Sequence, residues 1–164
     1  MAIEIIKIKL YPGNTAKIQY IVDKDYEVTA EWKKRIAHED FVKSMRALAP
    51  YLFELCEMGI VTHTDAEFDG ILLKDYESTQ IVFGGSGESY GCTLVGRKNL
   101  TGNRVLNLVA PFISFIDDDR YMHVDKLQVA AMKAYNEAVE YINGKCAPDP
   151  QMELELWTTL KSPQ

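Results

Sequence analysis

Long hydrophobic runs are missing from this 164-residue chain. No segment approaches the roughly 18 consecutive apolar residues of a membrane span. The opening residues, Met1 to Leu10, alternate charged with apolar side chains where a signal peptide would carry an apolar core. The expectation is a cytoplasmic protein without membrane contact. Cysteine is scarce and unpaired: Cys56, Cys92 and Cys146 are odd in number, widely spaced and outside any CxxC pair. This argues against a disulfide framework and predicts reduced, mostly buried thiols. Positive charge is in deficit as well, with 18 Lys and Arg against 24 Asp and Glu. Phosphate neutralisation drives non-specific nucleic-acid binding, so the net charge of −6 argues against a general coating protein while leaving room for a local basic patch.

Catalytic signatures are equally sparse. His38, His63 and His123 form no HxH or HxxxH pair that would aim two ligands at one metal. Ser86 and Ser89 stand outside any GxSxG motif. The cluster Gly84, Gly85 and Gly87 is followed by a strand-like segment, and no Gly-Lys-Ser/Thr closes it, so it reads as a hairpin turn. Asp117, Asp118 and Asp119 are consecutive, which turns alternate members to opposite sides if extended; they read as an acidic turn. No metal and no cofactor is expected, and an enzyme is the weaker hypothesis. Its most concrete form is a small metal-dependent nuclease using Asp117–Asp119, Glu88 or His123.

What is present describes a folded domain. Hydrophobic residues at 47% and charged residues at 26% match globular averages, and the length suffices for one core. Residues 2–10 and 16–22 flank Tyr11-Pro12-Gly13-Asn14, a hairpin turn signal. Tyr26–Trp32 alternates as a third strand. Phe41, Met45, Leu48, Leu52 and Leu55 mark one face of a helix over 38–58, with a kink or break expected at Pro50. Residues 59–77 form an irregular connection. Strands follow at 78–83, 89–97 and 104–116, with Pro111 predicting an edge position or a bulge in the last. A second helix covers 123–143, its buried face marked by Leu127, Ala131, Ala134, Ala138 and Tyr141. Gln151–Trp157 reads as a final strand, with 160–164 a frayed tail. The fold class is α+β: one domain over 1–164, two βββα halves plus a C-terminal strand, mostly antiparallel sheet with two main helices. The halves, 1–58 and 78–146, leave a pseudo-repeat open.

Two basic clusters stand out as candidate ligand-binding residues. Lys33, Lys34 and Arg35 follow Trp32 before the first helix, and Arg97, Lys98 and Arg104 crowd a predicted hairpin tip. Arginines and lysines at such tips contact phosphates or acidic partners. Trp32 and Tyr90 are the aromatics expected to lie exposed beside them.

The segments His38-Glu39-Asp40-Phe41, Tyr90-Gly91-Cys92-Thr93, Val105-Leu106-Asn107-Leu108 with Ala110-Pro111, and Glu137 through Lys145 give the chain a recognisable order. Over roughly 38–58 and 78–146 it resembles small bacteriophage- and prophage-encoded proteins of no established activity. The resemblance implies an accessory protein in the bacterial host cytoplasm, non-enzymatic, acting in viral DNA replication or recombination through a nucleic acid or a protein partner. The alternative it leaves is an anti-defence protein that inhibits a host immunity protein or sequesters a signalling nucleotide. Unpaired edge strands make a homodimer possible.

Overall fold

The computed structural model describes residues 2–59 and 74–148. Three strands come first: β1 (Ile3–Leu10), β2 (Thr15–Val22) and β3 (Tyr26–Ile36). Two short helices follow, α1 (Glu39–Arg46) and α2 (Ala49–Leu55). The second half contains β4 (Tyr76–Gly84), β5 (Gly91–Asn99), β6 (Val105–Val109), β7 (Ile113–Ser114) and α3 (Val124–Ile142). All strands join one antiparallel sheet in the order β3-β2-β1-β4-β5-β6, with β7 continuing beside β5. Each half is thus a meander, and the order is symmetric about the central β1–β4 pair. The predicted final strand and tail, and all but the ends of the 59–77 connection, lie outside the described residues.

Local chemistry explains the turns. Pro12 and Gly13 occupy the centre of the β1–β2 turn, and Gly13 has φ +87°, as a type II turn requires. The β4–β5 glycines do form a hairpin turn, closed by a 3-10 turn at Gly87–Ser89 with Ser86 and Ser89 capping each other. Gly85 sits at φ +75°, and a Cβ there would come within 2.1 Å of the Ser89 carbonyl oxygen.

The expected helix over 38–58 is two helices. The chain breaks at Ala47–Leu48, just before Pro50, and starts again at Ala49. In that position Pro50 lies in the first turn of α2, where its missing N–H satisfies no helical bond and costs nothing. Pro111 does both things its sequence context predicts. It follows the edge strand β6, and the register against β5 slips by one residue between Ala110 and Ile113, which is a bulge.

One row of side chains crosses the whole sheet and defines its buried face: Ala30, Ile18, Ile8, Ile81 and Leu94 stand in register. Ile18, Ile8, Ile81 and Leu94 are fully excluded from solvent. The three helices of the described residues pack on this face. Tyr141 of α3 is the largest wholly buried side chain, set edge-on to Phe41 of α1 and Trp32 of β3 at 5.4 and 5.5 Å between ring centres.

A candidate anion-binding face

Because side chains alternate along a strand, the rows flanking the buried one face the other way. No helix among the described residues covers that side. One open row runs Thr29, Gln19, Lys7, Val82, Thr93; the next runs Glu31, Lys17, Lys9, Gln80, Val95, Val109. The open face is therefore divided. Its β2–β1 part is basic, and its β5–β6 part is a strip of valines.

The basic part is a shallow groove of about 200 Å³ lined by Lys7, Lys9, Tyr11, Lys17, Gln19 and Thr29. Lys9 and Lys17 are directly opposed across the β1–β2 pair. Like charges in that relation destabilise a sheet. Among the described residues none of the three lysines is held in an ion pair. Lys9 rests 5.0 Å from the centre of the Tyr11 ring. Gln19 gives its amide N–H to Glu27, which leaves its carbonyl and the Thr29 hydroxyl at the groove. The result is a concentration of ammonium donors with no acid among them, bounded on the β3 side by Glu27 and Glu31. Such a surface takes the oxygens of a phosphate or carboxylate.

The two clusters expected from sequence are placed differently. Arg35 donates to the Tyr141 carbonyl at 3.2 Å, where it also complements the C-terminal end of the α3 dipole, and lies over the Trp32 ring at 4.2 Å. The Tyr141 hydroxyl returns a 2.7 Å bond to the Arg35 carbonyl. Trp32 is consequently half-buried instead of exposed, a strut between β3 and α3. Lys33 and Lys34 remain in solvent inside an irregular stretch where Trp32 to Arg35 pass a single β2 residue, Ala16. Arg97 is paired with Glu77 at 2.6 Å. Lys98 points to the opposite side of the sheet and lies 5.4 Å from the Tyr76 ring centre. Arg104 holds the turn by donating to the Thr101 carbonyl at 3.0 Å. The clusters sit four strands apart, roughly 19 Å at ordinary strand spacing, and form no common site. Tyr90, the second aromatic expected to be exposed, is half-buried between Phe83 and Phe115, and burial pushes its hydroxyl pKa up to about 12.

The acids and histidine considered for catalysis are also dispersed. His123 Nδ1 lies 2.9 Å from the Glu54 carboxylate, which also accepts the Tyr121 hydroxyl at 2.5 Å. Burial first, and then that contact, raise the Tyr121 pKa. Asp117 is engaged by Arg120. Among the described residues no group of three His, Cys, Asp or Glu side chains converges on a possible metal position. Cys92 is buried with its thiol pKa pushed up to about 12, and Cys56 is raised by burial too.

Lys7, Lys9 and Lys17 escaped the sequence reading because they form no run. The signal was present: Lys7 and Lys9 are two apart in a strand, and closing the 11–14 turn sets Lys9 against Lys17.

The chain matches no protein-family model, no curated protein and no solved structure, so the chemistry of the face itself carries the functional reading. No helix among the described residues is long and apolar enough to cross a membrane.

Proposed function

We propose that the protein is a non-enzymatic binding protein that receives single-stranded nucleic acid on the open face of its sheet. The opposed Lys9 and Lys17, in no ion pair among the described residues, with Lys7 beside them carry this reading, since they concentrate positive charge on a chain that is otherwise acidic. The adjoining valines, Val82, Val95 and Val109, supply apolar surface in the same rows. A single strand presents phosphates and unstacked bases together, which a duplex does not. Lysines hold the backbone, and the valine strip receives the bases. In the phage setting that the resemblance implies, this is an accessory role in viral DNA replication or recombination.

The test is fluorescence anisotropy with a labelled oligonucleotide of about 12 nucleotides, a length within the usual range of such sites. Three phosphate contacts give a log–log salt slope of about −2. A Lys9→Glu, Lys17→Glu variant loses the binding while Arg97→Ala, Arg104→Ala keeps it. No binding at low salt, or binding indifferent to the lysines, defeats the reading. Equal affinity for a free mononucleotide moves it to nucleotide sequestration.

A further inference from the structure

Strand β6 ends the sheet, and its outer edge meets no other strand among the described residues. The hydrogen bonds from Leu100 N–H to the Arg104 carbonyl and from Ala110 N–H to the Leu94 carbonyl set the phase of the β5–β6 ladder. Bonded pairs alternate in an antiparallel ladder. Leu106 and Leu108 therefore turn their backbone groups towards β5, while Val105, Asn107 and Val109 turn theirs outward. The sequence of this strand, Val105-Leu106-Asn107-Leu108-Val109, reads the same in both directions. Its outward groups are symmetric about Asn107 too. None of its five residues is charged, and Val105, Leu106 and Val109 are exposed, the last at 68%.

We infer that β6 is a self-pairing edge through which two copies of the chain join antiparallel about a two-fold axis at Asn107. Asn107 then bonds to Asn107 of the partner subunit, and each Val105 exchanges backbone bonds with the opposing valine of the other copy. Every outward N–H and C=O from Val105 to Val109 finds a complement. Directly opposed residues share a side of the sheet, so valine lies against valine on the open face and leucine against leucine on the helix face. A match of backbone phase and side chains at once is answered by a second copy of the same strand. The flanks limit the contact. Pro111 has no N–H to offer at the next outward position, and at the other end Asn103 turns away at φ 59°.

Sedimentation velocity of the full chain across a concentration series tests this. The expected species is a dimer of twice the chain mass. Asn107→Pro removes only an outward donor and leaves the β5 ladder intact, so it weakens the dimer by about 100-fold for the two central bonds lost. Val109→Lys, at an exposed position, does the same if Asn107→Pro misfolds. A monomeric wild-type chain at high concentration overturns the inference. A dimer that survives both substitutions overturns it equally. No nucleic acid enters the measurement, so its outcome is separate from that of the ligand proposal.

Discussion

The two edges of the sheet are built on opposite plans. The β3 edge carries Glu27, Glu31, Lys33, Lys34 and Arg35, is distorted where four of its residues pass one of β2, and is pinned to α3 through Arg35 and Tyr141. The β6 edge has no charge, a regular register and exposed valines. Charge and distortion are the ordinary means by which proteins keep a sheet edge from recruiting another strand. Among the described residues one edge is defended and the other is open, and an open edge offers unpaired N–H and C=O groups to another strand. On the self-pairing proposal, that contrast gives β6 the role of interface and Lys33 and Lys34 that of edge protection.

The largest expected effect comes from removing the anchor of the defended edge. Tyr141→Ala empties a fully buried position between Phe41 and Trp32 and frees Arg35. Loss of about 3–5 kcal/mol of stability follows from the cavity and the broken bonds. Hydrogen exchange should quicken more at β3 amides than at β6 amides. Equal acceleration at both edges would show that the anchor is global and break the comparison.

A smaller change strips the charge from the defended edge. Lys33→Val with Lys34→Val leaves stability within about 0.5 kcal/mol, because both side chains are in solvent. Light scattering then shows concentration-dependent association beyond that of the wild-type chain. A variant that associates no more than wild type would mean that the distortion alone protects β3.

The smallest effect lies where α1 and α3 meet behind the β3 edge. Lys145 donates to Asp40 at 3.0 Å and to Glu137, tying the start of α1 to the segment after α3. The hydrogen bond from Lys145 holds the Asp40 carboxyl below its ordinary value of 3.8. A carboxyl depressed on folding adds stability that is present above its unfolded value and fades as pH falls through the folded one. Denaturant midpoints of wild type and Asp40→Asn should therefore differ slightly at neutral pH and converge in acid. A gap that persists or widens in acid would sever Asp40 from this edge.

Much of the fold could be read from local sequence. Turn residues marked the hairpins, Leu127 to Tyr141 showed the buried face of α3, and Pro111 announced an edge position or a bulge. The candidate site was far less legible. The sequence reading favoured runs of basic residues, yet neighbours in a strand point to opposite sides, and Arg97 and Lys98 do just that. Arg35 and Arg97 are engaged by Tyr141 and Glu77, partners 106 and 20 residues away, which no local pattern reveals. Lys7, Lys9 and Lys17 gain their meaning from one tight hairpin and from a side of the sheet that no helix among the described residues covers.

Sequence alone determined the identity of the elements, because helix period, strand alternation and the φ demands of Gly13 and Gly85 act over a few residues. Tertiary structure decided the rest. The pairing of β1 with β4 brings together residues more than 70 positions apart, and nothing short of burying Ile8 against Ile81 selects it. That single long-range pairing places β3 and β6 at the two edges of the described sheet. The lysines gather through the β1–β2 hairpin, and Arg97 and Arg35 are engaged across β4–β5 and by α3, since a side chain's neighbours are set by strand order, register and packing.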